Sequence, residues 1–175
     1  MLCGRGFSCS MDGGVMAKEK TVKTNAMRIL DRMKIDYEVI TVDLPEFVDG
    51  VQMAELEGVP AEESFKTLVL QGKSREYYVF VLPVEKEVDL KAAAACVGEK
   101  NIGMIHVKDI TKITGYVRGG CSPLGMKKKF RTVIAEECRA HEKIYVSAGK
   151  IGTSMYLLTE DLIRASEASV AKFTV

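Results

Sequence analysis

The chain has no tryptophan, only four prolines and only two histidines in 175 residues. It also lacks an excess of either charge, because 25 Lys and Arg stand against 24 Asp and Glu. That balance excludes binding nucleic acid by bulk electrostatics and leaves open only a local basic patch. No apolar run approaches the ~20 residues that span a bilayer, so no membrane association is expected. Collagen-like and coiled-coil repeats are missing too. The five cysteines, at 3, 9, 96, 121 and 138, are odd in number and contain no C-x-x-C pair. Reduced thiols in a cytoplasmic protein are the expectation. With His106 and His141 the only histidines, no short-spaced Cys/His cluster exists, and neither metal nor cofactor is expected. The P-loop, nucleophile-elbow, H-E-x-x-H and dinucleotide-binding signatures are all absent.

What is present is ordinary globular composition, 47% hydrophobic and 28% charged, and enough chain for one core without disulfides or metals. Residues 1–15 (MLCGRGFSCSMDGGV) stand apart, with four glycines and no periodic pattern. They are expected to be a leader or tail, with one domain over 16–175 opening at Met16.

Thr24 is placed to cap a helix whose apolar positions Ala26, Ile29, Leu30 and Met33 share a face. A strand is expected at Tyr37–Val42 and a short helix at Val51–Glu57, stopped by Gly58 and Pro60. Phe65–Leu70 and Tyr77–Leu82 read as a hairpin around Gly72-Lys73-Ser74. YYVFVL, apolar throughout, reads as a strand buried on both faces. Asp89 should cap a helix closed by Gly98. A strand at Ile102–Val107, a helix at Lys108–Thr114 and strands at Thr132–Ala135, Lys143–Ser147 and Ser154–Leu158 complete the pattern. Thr159 is expected to cap the last helix. Strands and helices intermix without strict βαβ alternation. The expectation is therefore α+β: one domain, a mixed and mostly antiparallel sheet or barrel with flanking helices.

Three segments draw attention. The first is TGYVRGGCSPLG, Thr114 to Gly125, followed by Met126 and three lysines. Adjacent Gly119 and Gly120 let the backbone approach a ligand, and successive N–H groups in such a loop can hold an anion; an elaborate turn is the other reading. The second is Ser64-Phe65-Lys66-Thr67, whose lysine either faces a cleft or keeps an edge strand soluble. The third is YVSAGKIG, Tyr145 to Gly152, a strand ending in glycines.

Together with KTNAMRILD near the N-terminus and Asp89-Leu90-Lys91, these blocks resemble the YbaK-type aminoacyl-tRNA deacylases, relatives of the editing domain inserted in some bacterial prolyl-tRNA synthetases. The resemblance runs from about Lys23 to Ala168. The GG-x-SP-x-G form is similar to the branch that acts on Cys-tRNA(Pro). It implies an enzyme that clears mischarged cysteine from Cys-tRNA(Pro), and from Cys-tRNA(Cys), through the substrate's own thiol. An enzyme nucleophile and a metal are then unnecessary. A hydrolytic Ala-tRNA(Pro) deacylase on the same fold, or a non-catalytic aminoacyl-binding module, are the alternatives.

Carried over, Lys66, Gly119 and Gly120 would be catalytic, with the two glycine amides facing the developing oxyanion. Thr67, Ser122 and Ser147 would bind substrate. Lys127, Lys128, Lys129 and Arg131 would contact the tRNA backbone, or else form a solvated face. Cys121 is read as a bystander, since nothing adjacent beyond Arg118 would activate its thiol. Aminoacyl-tRNA is the implied substrate, and prolyl-tRNA synthetase the implied partner. Val42 and Ser154 replace a tyrosine and an aspartate carried by some relatives.

Overall fold

The computed structural model describes residues 22–44 and 47–175; the expected leader 1–15, with Cys3, Cys9 and Met16, lies outside the described residues, as does Pro45. Among the described residues, eight strands form two sheets. One has three strands in the order β1 (Glu38–Thr41), β7 (Thr153–Leu158), β6 (Lys143–Lys150). The other has five, ordered β4 (Ile102–Met104), β2 (Phe65–Gly72), β3 (Tyr77–Pro83), β5 (Arg131–Ala135), β8 (Ser169–Ala171). The hairpin pairs Phe65 with Pro83 through to Gln71 with Tyr77. Four strand pairings are antiparallel, whereas β3–β5 and β5–β8 are parallel. The sheets meet at a single bridge between Ser64 and Tyr145. Two joined sheets, rather than a closed barrel, are the observed architecture.

β3 explains the layering. Its Val79 and Val81 point into a core shared with Val146, Met155 and Leu157 of the three-stranded sheet. Tyr78, Phe80 and Leu82, on the opposite pleat, pack with Phe173 and with Ala93, Ala94 and Val97 of α3 (Leu90–Val97). A strand sandwiched between two cores has no polar face, which is why YYVFVL carries none. Helix α1 (Asn25–Arg32) buries Ala26, Met27 and Leu30 in the first core. Thr24 caps it as expected, accepting from Met27 N, and its hydroxyl also donates to Ala148 O at 2.5 Å. That second bond ties the N-terminal motif to YVSAGKIG.

Helix α2 (Gly50–Glu57) opens on a reciprocal cap between Asp49 and Gln52 and ends at Gly58, whose φ is 71°. Asp89 caps α3 and Gly98 ends it. The expected Lys108–Thr114 helix is instead a 3-10 turn, Val107–Asp109, followed by α4 (Ile110–Thr114). At α5 (Thr159–Ser166) the N-cap position belongs to Leu158. The Thr159 hydroxyl donates to His141 O at 2.8 Å, so it anchors the helix to the segment before β6 rather than capping it. β8 went unforeseen: its three residues carry no alternating pattern and exist as a strand only because β5 offers an edge.

Candidate active site

The three motif segments converge on one another. The Gly149 Cα faces the Tyr116 ring so closely that an added Cβ would sit 2.8 Å from it. Gly120 packs on the β6–β7 turn, where a Cβ would come 2.9 Å from Ile151 N. Any larger residue at either place would push the glycine-rich loop off the hairpin. Tyr116 Oη donates to Leu124 O at 2.6 Å and closes the loop on itself. Burial pushes the Tyr116 phenol up to about 12, which keeps it a neutral donor.

Beside this joint lies a cavity of about 590 Å³, a size suited to a small ligand. Lys66 and Thr67 of β2 line one side, and Ser147 of β6 lies on the wall where the two sheets meet. Arg118, Gly119 and Cys121 come from the glycine-rich loop, while Glu57 comes from the last turn of α2. Lys66 and the glycine-rich loop, distant in sequence, thus share one cavity.

Lys66 Nζ lies 3.8 Å from a carboxylate oxygen of Glu87, whose side chain is 83% exposed. An exposed partner at that distance is easily exchanged for a substrate anion. Arg118 lies 4.2 Å over the Phe47 ring, a cation–π contact that shapes the cavity mouth. The Ser147 hydroxyl accepts from Gly149 N at 3.2 Å at the β6 bulge, leaving its proton available to a ligand. Desolvation pushes the Cys121 thiol up to about 11, with the Thr114 hydroxyl a lesser opposing influence. A nucleophilic thiol needs the opposite shift, so Cys121 is a wall residue.

Two of the motif residues lie away from the cavity. The Gly120 N–H donates to Val117 O at 2.9 Å, so it closes a turn. Ser122 is fully buried, and its Oγ accepts from Leu124 N at 3.3 Å; it shapes the loop from inside, and neither residue lines the cavity. Gly119, with φ of 85°, does line it. The basic run is exposed and lies outside the cavity. Arg131 donates to Cys96 O and Val97 O at the end of α3. Lys129 pairs with Glu167, and Lys127 Nζ donates to Lys112 O at 3.3 Å. Lys128 is exposed, and none of the four lines the cavity.

Sequence reasoning missed other wall residues. Four buried side-chain oxygens among the described residues have no hydrogen-bond partner, and three of them, on Glu57, Thr67 and Thr153, belong to residues lining this cavity. Buried polar atoms left unpaired are costly, and their clustering marks a place that a ligand completes. The signal for Glu57, an acid in the last turn of a short helix where the dipole disfavours it, was visible but weak on its own. Among the described residues no three of His, Cys, Asp and Glu gather into a metal site, and no helix is long and apolar enough to cross a membrane.

Residues 45–165 match the model of the aminoacyl-tRNA editing domain. The chain is 41% identical over 161 residues to "Putative Cys-tRNA(Pro)/Cys-tRNA(Cys) deacylase EbsC" of Enterococcus faecalis (strain ATCC 700802 / V583), covering 91% of this chain and 98% of that protein. Two solved structures have the same fold. One, titled "a putative trans-editing enzyme for prolyl tRNA synthetase", has a TM-score of 0.76 at 18% identity, over 89% of this chain and 99% of that one. The other, the hypothetical protein APE2540, has a TM-score of 0.79 at 19% identity, over 87% and 100%. The motif blocks that build one cavity and the match across most of the chain lead to one conclusion: this protein belongs to the aminoacyl-tRNA editing domain family.

Proposed function

We propose that this protein is a trans-editing deacylase that removes cysteine from mischarged Cys-tRNA(Pro), and from Cys-tRNA(Cys), within the domain 16–175. The observation that carries the reading is the cavity itself. It joins a weakly held cation, Lys66, to a glycine-loop wall and the Ser147 hydroxyl, while its one thiol is held protonated. The relative's name supports the substrate.

An aminoacyl ester is already activated. A cysteine side chain near pKa ~8.5 supplies a few per cent thiolate at neutral pH. The substrate sulfur attacks its own carbonyl carbon: a C–S bond forms, the C–O bond to the terminal ribose breaks, and the thiol proton ends on the departing hydroxyl. The products are cysteine thiolactone and free tRNA. The protein's task is to hold sulfur and carbonyl within reach and to stabilise the oxyanion. Lys66 and Thr67 engage the terminal adenosine and its phosphate. Gly119 and Ser147 serve the oxyanion side, and Gly120 and Ser122 hold Gly119 in place.

Prolyl-tRNA synthetase is the proposed partner. Lys127, Lys128, Lys129 and Arg131 are all exposed and are proposed to contact the tRNA backbone, a patch that adds affinity without selecting one tRNA. The test is deacylation of Cys-, Ala- and Ser-tRNA(Pro) side by side with product identification. Thiolactone from the Cys ester alone is the expected result. Comparable rates on all three with free amino acid as product would instead mean a bound water does the chemistry.

A further inference from the structure

The cavity holds a carboxylate that the mechanism above does not use. Glu57 sits in the last turn of α2, where the helix dipole disfavours an acid. Its Oε1 is buried without a hydrogen-bond partner. Burial raises the carboxyl pKa, and the neighbouring Ser154 hydroxyl is the only influence pulling it back down. No cation pairs with it, although Lys66 and Arg118 line the same cavity.

The other acids of the wall are capping, ion-paired or exposed. Asp49 caps α2, Glu87 faces Lys66, and Glu85 is exposed on the turn after β3. The Ser154 hydroxyl and the Tyr145 phenol lie within range of the Glu57 carboxylate. Such a carboxylate is stabilised by a cation brought in from outside.

We propose that Glu57 receives the α-ammonium group of the aminoacyl ester, with the Ser154 hydroxyl beside it, and so orients the reacting carbonyl. This rests on the deacylase reading, because an aminoacyl ester carries one cationic group and Glu57 is the acid of this cavity with a buried, unpartnered oxygen. The substrate class narrows accordingly to esters of amino acids with a free amine. An N-acylated or peptidyl ester would place a neutral amide against a buried charge and is rejected.

The test compares Cys-tRNA(Pro) with 3-mercaptopropionyl-tRNA(Pro), the same ester with hydrogen in place of the amino group, under single-turnover conditions. Taking the ratio of Glu57→Gln to wild type on each substrate cancels their different intrinsic reactivities. Removing a charge-assisted hydrogen bond from the transition state should lower the ratio about tenfold or more on Cys-tRNA(Pro) and leave it near one on the desamino ester. Glu57→Gln also removes a buried charge at constant shape, so its thermal midpoint should equal or exceed the wild-type value. Equal losses on both esters would make Glu57 a structural residue and overturn the assignment, as would no loss on either. If the wild type accelerates neither ester, the deacylase reading itself fails, a result distinct from both.

Discussion

The two faces of the central strand β3 solve opposite problems. On one face Phe80 meets Phe173 edge to face at 4.8 Å, the small residues of α3 close over them, and the Tyr78 hydroxyl finds a partner in Glu99. On the other face the first core ends at a cavity where buried oxygens of Glu57, Thr67 and Thr153 lack partners. One face is optimised for stability, and the other retains local cost where a ligand is to be held. β2 belongs to both: Leu70 packs into the closed core, and Lys66 and Thr67 line the cavity.

Mutations should separate the faces. The largest effect is expected at the closed one. Phe80 is fully buried, and Phe80→Ala should destabilise the fold by about 3–5 kcal/mol in denaturant unfolding. A loss below about 1 kcal/mol would mean that this core is not packed as described. Lys66→Ala comes next and touches the other face. It should lower kcat/KM on Cys-tRNA(Pro) at least tenfold while moving the unfolding midpoint little, because its only ion-pair partner is exposed. Wild-type activity in this variant would remove Lys66 from the site.

Thr67→Val is a sharper form of the same contrast. It deletes an unpartnered hydroxyl at nearly constant shape, so stability should hold or rise while deacylation slows by a few fold. The smallest effect on rate is expected for Cys121→Ala, within about threefold of wild type, since the protonated wall thiol performs no chemistry. Its signature lies in alkaline stability. The folded thiol titrates at about 11 against 9.0 for the free group. The unfolded chain therefore loses its proton first, and stability falls as pH rises from about 9 to about 11. Cys121→Ala should flatten that fall in thermal melts recorded across the window.

Much of the architecture was legible in local chemistry. The Asp89 and Thr24 caps, the glycines ending α2 and α3, and the hairpin of Phe65–Leu70 with Tyr77–Leu82 all follow from neighbours in sequence. The motif blocks also flagged the cavity: of the six residues assigned to catalysis or substrate binding, Lys66, Thr67, Gly119 and Ser147 line it. The residues that lie outside the cavity have a common explanation. Gly120 and Ser122 belong to the motif, yet a motif does not reveal which of its amides and hydroxyls turn inward. Lys129 and Arg131 stay exposed in the basic run, but their partners could not be read from the sequence. Folding pairs one with Glu167 and sets the other against the carbonyls of α3.

The amino-acid order by itself determined the ends of α2 and α3 and the cap of α1, the doubly buried strand, and the family through the motif blocks, because each depends on residues a few positions apart. Which strands run parallel, which polar atoms are left without partners, and that Glu57 shares a wall with Lys66 were decided by tertiary structure alone. Those properties depend on which surfaces meet when two sheets pack, and residues as distant as Glu57, Cys121 and Ser154 acquire a common environment only then.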